Sequence, residues 1–212
     1  MTVKVVGHQW YWEFSYPGTA AVTANELHIP VGTPVNVVVT TADVIHSFWV
    51  TQLNRKIDTI PGRRNRVLLE ADRPGRFRGQ CTEYCGLEHA RMALFVVAQP
   101  QAQFRSWLAN MAKPARTPAT AQERKGRSVF LADACSGCHT IRGTSAVGGI
   151  GPDLTHLQDR KTIAAGTIPN RKGYLAGWVL DPQHVKPGAK MPGLNLSGPD
   201  FQALLAYLES LR

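Results

Sequence analysis

The sequence contains no apolar stretch near the ~18 consecutive residues that a membrane-spanning helix requires. Its longest candidate, Met92 to Ala98, is the size of a strand. No signal peptide stands at the front, because Met1 leads almost directly into the strand-like Thr2-Val3-Lys4-Val5-Val6. A start with no lead-in suggests a trimmed chain, and the expectation is a soluble fragment of a protein that is membrane-anchored in nature. Runs of basic residues are missing too. The formal net charge is +9, yet no five Lys or Arg are adjacent and no nucleic-acid motif is recognisable. Nucleic acid is therefore not an expected partner. Residues 1–112 carry 11 Lys and Arg against 8 Asp and Glu, and residues 113–212 carry 13 against 7, so the excess lies mainly in the second half. Such a surface suits an acidic protein or an anionic headgroup. Cysteines number only 4, in two close pairs, Cys81/Cys85 and Cys135/Cys138. Two disulfides or one split zinc site are the plain readings. The neighbours of each pair point elsewhere.

What is present divides the chain. Up to residue 98 the pattern is β: Val35 to Thr40, Ile45 to Thr51, Arg66 to Ala71, Gly75 to Gln80 and Met92 to Ala98 are short strand-like runs. Pro and Gly punctuate them at spacings that suit a sandwich or Greek-key barrel. Phe104, Trp107, Leu108 and Met111 then recur at helical spacing, predicting one short amphipathic helix. Lys113-Pro114-Ala115-Arg116-Thr117-Pro118-Ala119-Thr120 has linker composition, so the expected domains are 1–112 and 121–212 with 113–120 between them. Beyond the linker the pattern is helical. Thr120 with Glu123 reads as a capping box opening a helix to Ala132. Tyr174 to Leu180 is a shorter helix, and Ser197 opens a last one with Phe201, Leu204, Leu205 and Leu208 on one face. The long Gly- and Pro-rich connections between these helices suggest a large ligand in the core.

Cys135-Ser136-Gly137-Cys138-His139 is the attachment signature of a c-type haem. Two thiols must reach two vinyl groups, and the next residue must offer an imidazole to the iron. Zinc would need a fourth ligand that this motif does not supply, and a redox dithiol would need βαβ surroundings. The second axial ligand should be Met or His. Met191, in Lys186-Pro187-Gly188-Ala189-Lys190-Met191-Pro192, is the only methionine after residue 111, and His156 and His184 are its competitors. The Pro152 carbonyl is available to orient His139. Trp178 and Arg160 are candidate propionate contacts, with core packing and a solvated surface as the other readings. This half resembles a class I cytochrome c domain, a family with a proline after the haem motif and a methionine ligand in a loop before a closing helix.

Cys81 to Met92 is dense in soft donors. A Cys…His…Met loop between two strands is a blue-copper layout. Two thiolates four residues apart could instead bridge two coppers, each then needing its own imidazole. His89 is one; His46, in Val44-Ile45-His46-Ser47-Phe48-Trp49, stands where a blue-copper fold places its upstream histidine. His8 and His28 are the alternatives, more plainly read as surface or structural. Met92 could supply a weak axial ligand and the Glu83 backbone carbonyl another. A Cys81–Cys85 disulfide would leave His89 and Met92 unused.

This loop, His46-Ser47-Phe48, Ile60-Pro61-Gly62-Arg63 and Gly7-His8-Gln9-Trp10-Tyr11-Trp12 resemble the CuA domain of subunit II of haem–copper cytochrome c oxidases. With the C-terminal cytochrome c domain, the whole chain is similar to the fused subunit II of bacterial caa-type oxidases. The resemblance implies a multidomain fold: an all-β cupredoxin-like Greek-key barrel followed by an all-α class I cytochrome c domain. It implies a dinuclear copper held by His46, Cys81, Glu83 (carbonyl), Cys85, His89 and Met92, and one covalent haem c at Cys135 and Cys138 with His139 and Met191 on the iron. It implies magnesium at Glu83 only in the full complex, and Trp10 as the point where electrons arrive. The patch of Trp10, Tyr11 and Trp12 reads more neutrally as core or as a membrane-interface belt, and for Trp12 that reading and electron entry are about even. The expected partners are oxidase subunit I, other membrane subunits and an electron donor with an acidic face, on the outer side of the bacterial plasma membrane. The expected role is to carry electrons from the donor through haem c and CuA to subunit I, where oxygen is reduced; the chain alone transfers electrons only. The rivals are a CuA and haem c subunit of a nitric oxide or nitrous oxide reductase and, from another class, a copper-delivery module.

Overall fold

A computed structural model describes residues 1–212. It separates into two compact units, one of Met1–Ala112 with Ala164–Thr167, the other of Lys113–Ile163 with Ile168–Arg212. The sequence reading keeps all of 121–212 together, so the assignment of Ala164–Thr167 to the first unit is a departure from it.

The first unit is built of ten strands: β1 (Thr2–His8), β2 (Tyr11–Ser15), β3 (Val22–Ala24), β4 (Glu26–Pro30), β5 (Val35–Thr41), β6 (His46–Trp49), β7 (Ile57–Thr59), β8 (Asn65–Leu69), β9 (Gly75–Cys81) and β10 (Ala93–Gln99). They form two five-stranded sheets, ordered β3-β2-β1-β5-β8 and β4-β10-β9-β6-β7. Alternation explains why each faces the other. Along β5, Val35, Val37 and Val39 are fully buried while Asn36 and Val38 between them are not. Valines 3 and 5 on β1, Phe14, Leu27, Ile29, Phe48, Leu94 and Val96 complete the layer between the sheets. Two pairings are parallel, β1 with β5 and β4 with β10, which ties the start of the chain to its middle and the middle to the end of the unit. The result is the cupredoxin-like β domain that the resemblance implies. Helix α1 (Gln101–Met111) closes it, with Phe104 and Met111 buried. Trp107 stacks on His28 at 4.0 Å between ring centroids.

The second unit is mainly helical: α2 (Ala121–Ala132), α3 (Cys135–Cys138), α4 (Lys172–Leu180), α5 (Pro182–Val185) and α6 (Gly198–Ser210). Thr120 Oγ1 accepts from Glu123 N while the Glu123 carboxylate accepts from Thr120 N, the reciprocal cap read from the sequence. Ser197 caps α6 through Asp200 N. Helices α2 and α6 meet at Gly126, where a Cβ would lie 1.9 Å from the Ala203 carbonyl oxygen. Phe130 and Tyr207 pack edge-on beside that crossing, centroids 6.0 Å apart. The chain between α3 and α4 is not helical throughout. Thr162–Ile163 and Ile168–Pro169 pair as a short antiparallel hairpin, β11 and β12, and Thr140 bridges Val147. An all-α description therefore does not cover these two pairings. The β-branched pairs at 162–163 and 167–168 suit extended backbone, and the tip turns through Ala164, Ala165 and Gly166, all at positive φ.

Candidate metal centres

The first centre forms where β6 and β9 pair. Phe48 stands opposite Cys81, and Thr82 N donates to Ser47 O at 3.1 Å, so His46 and Cys81 are brought together by strand register. Beyond Cys81 the chain leaves the sheet and carries Glu83, Cys85 and His89 around before β10 resumes after Met92. The sulfurs of Cys81 and Cys85 are 3.7 Å apart. Cys81 Sγ lies 3.9 Å from His46 Nδ1 and 3.3 Å from the Glu83 carbonyl oxygen. Cys85 Sγ lies 3.6 Å from His89 Nδ1 and 3.8 Å from Met92 Sδ. His46, Cys81, Cys85 and Met92 are almost wholly buried, and all four cysteines of the chain are free thiols. All six donors named from the sequence thus meet in one place. The alternatives lie outside this cluster: His8 stacks on Tyr11 and His28 on Trp107.

Hydrogen bonding shifts the Cys81 thiol towards its ligand form and holds the His46 ring in place. Hydrogen bonding to Cys85 first, then to His46 and to the backbone of Ser47 and Glu83, lowers the Cys81 thiol far below its ordinary value, against burial, which raises it. Thiolate is the ligand form of cysteine. Burial alone would lower the pKa of His46, but hydrogen bonds to Cys81 and Asp43 outweigh it and raise it. The imidazole Nε2 donates to Asp43 Oδ1 at 2.8 Å, which turns Nδ1 towards the Cys81 sulfur. Burial would raise Asp43 itself; its bonds from His46, Gln9 N and Val44 N hold it low, so it stays a carboxylate. A carboxylate behind a ligating imidazole fixes the tautomer and ring angle. The sequence reading missed Asp43; its place three residues before His46 was the available signal. Two thiols, two imidazoles, a thioether and a carbonyl make a soft donor set that fits copper far better than magnesium or calcium.

Trp10 and Trp12 separate in the fold. Trp12 is fully buried against Phe48 at 5.7 Å and against His46 at 5.9 Å between centroids, which makes it core. Tyr11 is buried as well, while Trp10 is half-buried and its Nε1 donates to the Cys85 carbonyl at 2.9 Å. The Glu83 carboxylate is half-exposed and lies 3.9 Å from Lys56 Nζ.

The second centre is the Cys135–His139 turn. His139 Nδ1 donates to the Pro152 carbonyl at 2.8 Å, so Nε2 carries the free lone pair. Burial, first of all, lowers the pKa of His139 and favours the neutral ring. Gly151 passes so close that a Cβ there would stand 2.5 Å from His139 Cε1. Burial, and then Asp133, raise the Cys135 thiol to about 11, so it is a neutral thiol at pH 7. Among the axial competitors, His156 is buried with Nε2 donating to Lys113 O at 3.0 Å, and His184 is exposed. Met191 is half-buried and packs against the helical core. Arg160 is buried and donates to the Asp153 carbonyl, and Trp178 packs partly into the core, so neither is a solvated surface residue. A neutral imidazole directly after two free thiols fits a covalently held haem.

Both halves of the chain match known families. A family model described as the cytochrome c oxidase subunit II periplasmic domain matches residues 20–99, and one for cytochrome c matches residues 123–212. Cytochrome c oxidase subunit 2 of Alkalihalophilus pseudofirmus is 39% identical over 99% of this chain and 61% of its own length. That of Bacillus sp. strain PS3 is 34% identical over 100% of this chain and 62% of its own length. The chain therefore spans about three fifths of these curated relatives. The crystal structure of the periplasmic domain of subunit II of cytochrome oxidase from Bradyrhizobium japonicum is 35% identical, with a TM-score of 0.51, covering 52% of this chain and 92% of that one. No helix is long and apolar enough to cross a membrane.

Proposed function

The chain belongs to the subunit II family of cytochrome c oxidases and carries a cytochrome c domain in the same polypeptide, and from this we propose that it is the electron-transfer subunit of a respiratory terminal oxidase. Electrons from a donor reach a haem c, pass to a dinuclear copper, and leave for the catalytic subunit, where oxygen is reduced. One observation carries the reading. Two thiols, two imidazoles and a thioether lie within 3.6–3.9 Å of a neighbouring donor, in a chain that also holds Cys135-Ser136-Gly137-Cys138-His139.

His46, Cys81, Cys85, His89, Met92 and the Glu83 carbonyl would hold the copper pair. Cys135 and Cys138 would hold the haem, and His139 and Met191 would be the ligands offered to its iron, in an all-α class I cytochrome c framework to which the hairpin β11–β12 is an addition. The two groups, when bound, supply one-electron carriers with no open coordination site for oxygen. The residues around them keep rearrangement small. Asp43 holds the ring of His46, the Pro152 carbonyl holds that of His139, and the buried walls of Trp12 and Phe48 keep water from the thiolates. Trp10, bonded to the Cys85 carbonyl, is the route for electrons that arrive from outside.

The natural protein is anchored at the outer face of the bacterial plasma membrane, beside subunit I and the other membrane subunits. Its donor offers an acidic face, because the chain carries a net +9. Both relatives named above are oxidase subunits. The nitric oxide and nitrous oxide reductase readings and the delivery module have no comparable support. Optical and EPR spectra of the metal-loaded chain test the proposal: a low-spin Met/His haem and a mixed-valence copper pair are expected. A single-copper signal, or a haem with two histidines, would sink the corresponding ligand assignment. Donor reduction rates should fall as salt rises, since screening weakens attraction between opposite charges.

A further inference from the structure

One residue touches the copper site from both sides without being a ligand. Gln9 lies in the turn between β1 and β2. Its backbone N–H donates to Asp43 Oδ2 at 2.7 Å, and the other oxygen of that carboxylate holds His46 Nε2 at 2.8 Å. Its side-chain amide donates to the Cys85 carbonyl at 2.8 Å, beside the indole N–H of Trp10 on the same oxygen. A single residue is thus bonded towards His46 at one end and to Cys85 at the other.

The need for such a tie follows from the topology. Strand register fixes Cys81 against β6, but β9 ends at Cys81, and Cys85 receives no position from strand pairing. Yet the Cys85 sulfur is the hub of the cluster, 3.7 Å from Cys81 Sγ, 3.6 Å from His89 Nδ1 and 3.8 Å from Met92 Sδ. A small rotation of the Cys85 peptide changes all three distances together. We propose that Gln9 is a positioning residue for the copper centre, its amide fixing the Cys85 peptide in a frame set, through Asp43, by His46. The inference rests on the copper reading above.

Two substitutions in the full chain separate hydrogen bonding from packing. Gln9→Glu keeps the shape and puts an acceptor where the donor stood; Gln9→Leu keeps the bulk and removes polarity. Both variants should still bind two coppers. Removing an outer hydrogen-bond partner of a metal site costs ~10–100-fold in affinity. Because Trp10 remains on the carbonyl, the low end is expected, about tenfold faster release to a chelator. The copper hyperfine pattern should change with it, more in Gln9→Glu, whereas thermal unfolding of the metal-free chain should stay as it was. Release rates and hyperfine patterns equal to those of the unmodified chain would overturn the inference. A loss of metal-free stability matching the faster release would also overturn it, since Gln9 would then act by packing alone. If the unmodified chain takes up no copper pair, the copper reading itself has failed, and that outcome is seen before any variant is made.

Discussion

Replacing Gly126 by alanine tests the packing that shapes the haem-binding unit. A Cβ there would stand 1.9 Å from the Ala203 carbonyl oxygen and 2.8 Å from Tyr207 Cβ. Such carbons essentially never come within 3.0 Å of a heavy atom from elsewhere in the fold, and a backbone carbonyl cannot swing aside, so α2 and α6 must part by about 1 Å. Overpacking of this kind costs ~1–3 kcal/mol. Parting the helices also loosens the Phe130–Tyr207 contact and forfeits dispersion there. Alanine's better helix propensity returns up to ~1 kcal/mol. The net should be about 2 kcal/mol of destabilisation, which for a domain of this size lowers Tm by ~8–16 °C. Far-UV circular dichroism of the full chain reads this directly, because most of its helix lies in the second unit. Gly177→Ala is the control. Gly177 lies inside α4 with nothing within 4 Å of its would-be Cβ, so alanine should stabilise by up to ~1 kcal/mol. A Gly126→Ala transition within ~2 °C of the unmodified chain would refute the argument from close approach.

Asp43→Asn should leave the fold intact and weaken copper retention by ~10–100-fold, as measured by transfer to a chelator, because an amide no longer fixes the Nε2–H tautomer of His46. Gly151→Ala would push a methyl to 2.5 Å from His139 Cε1, and the expected result is a haem with altered axial ligation in its visible spectrum. Thr120→Ala should cost ~1 kcal/mol in thermal unfolding by deleting the cap of α2. Glu123 completes that cap. Burial raises its pKa, but bonds from Ala119 N, Arg116 and Thr120 N together outweigh it and lower it overall. Its contribution is then complete above the ordinary carboxylate pKa and disappears as pH falls through the lower folded value. Glu123→Gln should accordingly flatten the acid limb of a stability-against-pH curve; an unchanged limb would contradict this.

Periodicity carried most of the fold. Val35, Val37 and Val39 announce their inward face by alternation alone, and Phe104, Trp107 and Met111 announce a helix face by spacing. Thr120 and Ser197 mark helix starts because a hydroxyl cap is a local device that needs no tertiary context. Helix α1 begins at Gln101, ahead of its first apolar residue, since Pro100 rather than hydrophobicity sets the start. What local patterns could not give is pairing across the chain. The parallel joins of β1 with β5 and β4 with β10 depend on which apolar faces meet, and nothing near Thr2 or Glu26 names the partner. The hairpin β11–β12 escaped notice because two paired residues per strand are too few to show alternation. At the copper site the soft donors were legible, since cysteine, histidine and methionine in one loop are rare in combination. Asp43 and Gln9 were not, because carboxylates and amides are common on surfaces and only geometry gives these two a part.

The pairing of Phe48 with Cys81 makes the copper site a gauge of strand alignment. Along β9, Phe77, Gly79 and Cys81 face inward while Arg76 and Arg78 face solvent. A slip of one residue against β6 would reverse every one of these, sending the thiol outward and an arginine into the core. Chains that fold into a near-miss of this sheet therefore present His46 and Cys81 on opposite faces and cannot close a two-copper cage. Copper taken up per chain after refolding would count molecules in the right alignment, and the metal would act as an inspector of the barrel that holds it.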